Sequence, residues 1–160
     1  MSAKPGSISE LFRDVWYPAW DGPDTDHFIE VTRSIWHPEG IHGRHDDPNI
    51  PFRDIFELMI SEHRTWRPQT HEMLNVVDDG GEWASWQYHW TARYSGDRKN
   101  ADGSEPTEEQ RRYEHRAGMF VQWDGERILY GRGFASFSDH EHEMGLEGDD
   151  SDHGHGKDGH

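Results

Sequence analysis

Pro68 separates two hydrophobic rhythms in this chain. Before it, apolar residues recur every three or four positions; after it, they fall in short runs broken by Gly and Asp. The first rhythm belongs to helices with one buried face, the second to strands joined by turns. A sequence that spends its helices first and its strands afterwards reads as an α+β domain, with the helices covering one face of a strongly curved, mostly antiparallel sheet.

Three helices fit the first part. "SISELFRDVWYPAW" offers Ser7 or Ser9 as its cap and places Ile8, Leu11, Phe12, Val15 and Trp16 at helical spacing. Pro18 is expected to kink or end it. "DGPDTDHFIEVTRSIW" turns and restarts, with Asp24 or Asp26 as cap and Phe28, Val31 and Ile35 on one face. "HPEG" reads as a stop. Ile35 and Trp36 then close the second helix against the core, His37 and Pro38 turn towards solvent, and Gly40 lets the chain enter the first strand. "PFRDIFELMISEHRTW" is the third helix, with Phe52, Ile55, Phe56, Met59 and Ile60 repeating at three and four.

Four strands fit the second part: "HEMLNVVDD", "WASWQYHWTARY", "YEHRAGMFVQW" and "RILYGRGFASF". The Gly and Asp clusters between them are hairpin signals. The second and third of these strands carry bulky aromatics that read as two-sided, so a partner subunit is expected on the outer face of the sheet. Residues 1–7 form a polar start and 8–138 the folded domain. From 139 to 160 the text is Gly, Asp and His with little to bury, and disorder is expected.

Composition narrows the partners. Hydrophobic residues make up 31% and mean hydropathy is -1.11, yet eight Trp, seven Phe and five Tyr argue for an aromatic core rather than a disordered chain. A formal charge of -16 would repel nucleic-acid backbones and anionic membranes, so neither is expected as a partner. Lys4, Lys99 and Lys157 are the only lysines, a pattern open to a salt-adapted or a GC-rich origin. There is no cysteine, hence no thiolate chemistry. Neither a leader-like start nor a long apolar run is present, and the cytoplasm is the expected compartment.

The candidate chemistry is imidazole chemistry. His71, His89 and His115 lie in or beside strands, and His42 follows the turn after the second helix. Asp21, His42 and His71 fall at element ends and offer carboxylate–imidazole pairing, which fixes a histidine tautomer and raises its basicity. Without Cys or G-x-S-x-G, such a pair suits proton abstraction better than acyl transfer. "GRG" at 131–133 is too short for a dinucleotide loop, and no cofactor is expected. There is no H-E-x-x-H. His42, His71 and His115 are the set that a Zn or Fe site would draw on, though no metal is the preferred expectation. The tail histidines at 140, 142, 153, 155 and 160 lack fixed geometry for a closed site.

Four stretches in order, "SIWHPEGIHG", "THEMLNVVDD", "RRYEHR" and "WDGERILYGR", resemble the SnoaL-like branch of the nuclear transport factor 2-like superfamily. The likeness spans roughly residues 8–137. The nearest-looking members are scytalone dehydratases and the dehydrochlorinase of gamma-hexachlorocyclohexane. It implies a cone-shaped α+β barrel around a deep pocket, and a homo-oligomer, with a trimer favoured over a dimer. It also implies Asp21 and His71 as a general-base dyad, with Asp14 the alternative if the register slips, and Arg132 as a pocket arginine. Tyr17, His42, His89, Tyr113 and His115 become substrate-binding candidates. His115 stands where relatives often carry aspartate.

Three functions follow as expectations. The preferred one is a cofactor-independent lyase or isomerase of dehydratase type, acting on a small, mostly apolar organic substrate. In it Arg132, with His42 or Tyr17, meets developing negative charge. The others are a non-catalytic binding or scaffold protein of the same fold, and a histidine-cluster metalloprotein.

Overall fold

The computed structural model describes residues 6–44 and 47–134. Helix α1 runs unbroken through Ile8–Leu11, a wide π-helical turn at Phe12–Trp16, and Tyr17–Asp21. Ser7 is its cap, accepting the Glu10 N–H at 3.3 Å. Pro18 does not end the helix. In the wide turn the Tyr17 N–H reaches back to the Phe12 carbonyl, five residues upstream. That widening lies directly before Pro18, where it leaves room for the ring and tolerates the missing N–H.

Helix α2 (Thr25–Ile35) is capped by Asp24, which accepts the His27 N–H at 3.1 Å. Then come β1 (Trp36–Gly43), the short β2 (Ile50–Pro51), α3 (Phe52–Thr65), β3 (Trp66–Asp78) and β4 (Trp83–Tyr94). The long polar loop contains a short helix, α4 (Glu108–Arg111), closed by a reciprocal Thr107–Gln110 capping box. The sheet is completed by β5 (Arg112–Trp123) and β6 (Ile128–Phe134).

The six strands run in the order β2-β1-β6-β5-β4-β3. Only β1 and β6 pair in parallel; the other neighbours are antiparallel. The α+β architecture with a curved, mostly antiparallel sheet is therefore the observed one. Trp36 closes α2 as its C-cap, its N–H reaching the Thr32 carbonyl, and also opens β1, with 1% of it exposed. Two local expectations are corrected. "HPEG" is an irregular stretch of that strand, and Gly40 is needed because a Cβ would meet the His37 carbonyl at 3.0 Å and Trp36 Cε3 at 3.1 Å. Strand β3 starts at Trp66, before Pro68. It tolerates the proline because it lies at the sheet edge and its register shifts between Trp66 and Gln69.

Alternation along β4 sends Trp86, Tyr88, Trp90 and Tyr94 towards the helices, and Trp83, Gln87 and His89 outwards. The large aromatics of this strand are thus mainly one-sided, contrary to the two-sided expectation. Two buried clusters result, a large one around Phe12, Trp36 and Trp86 and a small one of Trp66, Trp90, Ala92, Tyr94 and Tyr113. Each such buried ring contributes roughly 1.5–3 kcal/mol relative to leaving it in water. On the outer face Trp83 stacks on Phe120 with ring centroids 4.9 Å apart, and the two remain 42% and 43% exposed.

Candidate active site

Asp21 is the last residue of α1, and His71 faces inward from β3. Asp21 Oδ1 lies 2.7 Å from His71 Nδ1, and Asp21 Oδ2 accepts the His71 backbone N–H at 3.1 Å. One carboxylate thus holds both the ring and the strand that carries it. Because the carboxylate is an acceptor, Nδ1 carries a proton, and in the neutral ring the lone pair then belongs to Nε2. The His71 side chain is 9% exposed and that of Asp21 28%. Asp14, the alternative partner, instead pairs with Arg13 on the surface.

Aromatic rings wall in this imidazole. Tyr17, one turn before Asp21, stacks on His71 with centroids 4.5 Å apart and planes 8° from parallel. Trp20 and Tyr88 close on it at 6.1 Å and 5.5 Å. The Tyr17 hydroxyl accepts the Trp86 indole N–H at 2.9 Å. Burial, then the neighbouring Tyr88, pushes the Tyr17 hydroxyl well above its ordinary pKa, so it remains a neutral O–H donor.

Behind the pair sits His63 of α3, fully buried. Its Nε2 donates to the Ala19 carbonyl at 3.1 Å, and its Nδ1 accepts from the Thr25 hydroxyl at 2.8 Å. It stacks on Phe28 at 4.5 Å. His63 therefore ties the end of α1 to the start of α2, next to Asp21. Burial lowers its pKa, which suits a neutral ring with one donor and one acceptor.

His71 opens on a cavity of about 140 Å³ where the two aromatic clusters meet, with Asp21 behind it. Phe12, Trp16, Trp66 and Trp90 supply much of its wall. Gln69 lines it too, and each end of its amide makes one hydrogen bond. Its Oε1 accepts from the Trp90 indole at 2.9 Å and its Nε2 donates to the Trp66 carbonyl at 2.9 Å. On the β1 side stand His42 and Arg44. His42 Nδ1 is buried without a hydrogen-bond partner among the described residues. Burial, with Arg44 adding, pushes the His42 pKa down to about 4, so the ring is neutral at pH 7.

Of the expected site residues, Asp21, His71, Tyr17 and His42 come together here. Others do not. Arg132 pairs across the sheet with Phe120 on the outer face, its guanidinium 4.8 Å from the Phe134 ring centre. His89 also faces outward, its Nε2 at 2.8 Å from Glu114. Tyr113 is buried in the small cluster, 4.5 Å from Trp66, and His115 packs against Trp90 at 5.0 Å; neither lines the cavity. His42, His71 and His115 form no metal-holding cluster, and no other such group occurs among the described residues. The tail histidines lie outside those residues.

Arg44, Glu62 and Gln69 are cavity residues that the sequence reading passed over. Their signals were present. Arg44 follows His42 by two and Gln69 precedes His71 by two, the period of one strand face. Glu62 continues the apolar stripe Ile55–Met59 of α3, where a carboxylate is out of place unless it faces something.

No protein-family model and no curated protein matches the chain. Solved structures do. A candidate SnoaL-like polyketide cyclase from Jannaschia sp. superposes with a TM-score of 0.60 at 11% identity, covering 93% of this chain and 99% of its own. IdmH, a candidate polyketide cyclase from Streptomyces antibioticus, gives 0.60 at 15%, over 86% and 97%. A ketosteroid isomerase-like protein from Catenulispora acidiphila, solved with trimethylamine, gives 0.60 at 12%, over 86% and 94%. The fold is the SnoaL-like, ketosteroid isomerase-like cone. In this chain the space between helices and sheet holds the cavity that His71 lines, with Asp21 hydrogen-bonded to it. Among the described residues no helix is long and apolar enough to cross a membrane.

Proposed function

We propose that the chain is a cofactor-independent lyase or isomerase, dehydratase-like in its chemistry, that removes a proton from a small, mostly apolar molecule. The observation that carries this reading is the Asp21–His71 pair on the wall of an aromatic cavity. With Nδ1–H held by Asp21, the free Nε2 is the basic atom. A substrate C–H breaks, its electron pair moves towards an adjacent carbonyl oxygen, and His71 Nε2 takes the proton. Asp21 then faces an imidazolium, which it stabilises.

The developing oxyanion needs a fixed donor. Tyr17 supplies one: Trp86 occupies a lone pair of its oxygen, and its own proton remains to be given. His42 and Arg44 offer a second polar end across the cavity, in the part expected for Arg132. The candidate cyclase activities attached to neighbours of this fold are compatible with such base chemistry. We take the exposed rings of Trp83, Phe120 and Phe134 as support for a homo-oligomer, with a trimer favoured and a dimer the alternative.

The test is solvent-deuterium exchange at the α-carbon of a probe ketone, followed by NMR. Wild type should catalyse it and His71→Ala should not, with the far-UV spectrum unchanged. Saturable binding without exchange in wild type would make the chain a binding module instead.

A further inference from the structure

We propose that the cavity takes a monocyclic ketone or enone and excludes fused polycyclic ligands. This deepens the proton-abstraction reading of the same site and rests on it for the carbonyl. Three observations carry it. The first is size. A cavity of about 140 Å³ is close to the roughly 150 Å³ at which an apolar protein cavity holds one benzene ring.

The second is that the walls are tied in place. Trp16 donates to Thr32 at 2.8 Å, Trp86 to Tyr17 at 2.9 Å and Trp90 to Gln69 at 2.9 Å. All three indoles are buried, at 3%, 2% and 5% exposure. Retreat of Trp16, Tyr17 or Trp90 to admit a second ring would break one of these bonds and leave an unpaired buried group. The space is therefore not readily enlarged on those sides.

The third is the distribution of polar atoms. His71 and Tyr17 lie together at one wall, stacked ring on ring, so an acidic C–H and the oxygen that acidifies it must sit on one short edge of the ligand. A ring with a carbonyl on or beside it meets this demand.

The test compares acetophenone, 1-tetralone and anthrone, with one, two and three rings, against the full chain. Binding is read from the indole N–H signals of Trp86 and Trp90 by NMR, and α-proton exchange in deuterium oxide is followed alongside for the two alkyl ketones. Acetophenone should saturate and bind at least about tenfold more tightly than either fused ketone, the scale expected of overpacking by one ring. Met119→Ala or Met59→Ala, each trimming a cavity-lining side chain, should move the preference towards 1-tetralone. Two such variants are needed because either alone could fail to fold. Equal or tighter binding of 1-tetralone or anthrone by wild type overturns the size limit, as does the absence of saturable acetophenone binding. Acetophenone that binds in the expected order but does not exchange leaves the size limit standing and overturns the base chemistry.

Discussion

The Trp86 indole N–H points at the Tyr17 hydroxyl oxygen from 2.9 Å, in a part of the core where Trp86 is 2% exposed. The tryptophan thus directs a tyrosine that lies flat on His71. Tyr17→Phe removes the donor offered to substrate and strands the indole N–H. Exchange should fall about 10²-fold, by analogy with the loss of one oxyanion donor. Stability should fall by about 1–3 kcal/mol for the unpaired group. Kinetics and urea unfolding on one preparation check both.

Asp21→Asn keeps the shape but replaces an acceptor with a group that can also donate. The His71 tautomer is then no longer fixed with Nε2 free. Exchange should fall roughly 10³-fold or more while ketone binding changes little. Arg132→Gln, altering an outer-face side chain, should leave exchange within about twofold; a loss like that of Asp21→Asn would return Arg132 to the site.

Acid should weaken the fold through two histidines. The folded pKa of His42 is pushed down to about 4 and that of His63 is also lowered, against 6.5 for the ordinary side chain. Between these values the unfolded chain binds more protons than the folded one, so stability is complete above about pH 6.5 and is lost as pH falls. For His42 the loss continues towards pH 4 and amounts to about 3 kcal/mol. Urea unfolding from pH 8 to 4 should show this slope, and His42→Phe should flatten it. An unchanged slope would mean that His42 is not held neutral in the cavity.

The outer face offers a test of assembly. Phe120→Glu places a charge beside Trp83, in the patch taken as the subunit contact. Light scattering should report a trimer for wild type and smaller species for the variant. A wild-type monomer would remove the oligomer proposal.

Most of the architecture was legible because periodicity is local. Helices α2 and α3 show their faces within a dozen residues, and β4 and β5 show their extent, though not which of their aromatics face inward. The start of the first strand was not legible, since Trp36 enters it by pairing with Ile128 of β6, far along the chain. The site divided in the same way. Asp21 and His71 were legible as a carboxylate–imidazole pair at element ends and again through the resemblance, and they lie 2.7 Å apart; Arg132 and His89, expected at the pocket, face outward because a strand residue and its neighbour face opposite ways. Which way a strand faces is set by sheet register, and register depends on partners that no short motif contains. Pro18 misled for a different reason: its local rule is sound, but a wide turn just upstream removes the clash.

That wide turn at Phe12–Trp16 also works as a phase adjuster. Each residue of an ordinary helix advances about 100° around the axis. The extra residue carried by the turn therefore resets the bearing of everything after it, Tyr17 and Asp21 included. Were the same residues wound at ordinary pitch, the surplus residue would turn Tyr17 and Asp21 about 100° away from His71, though no residue of the pair had been touched. The reading frame of the helix, as much as the identity of its residues, sets the composition of the active surface.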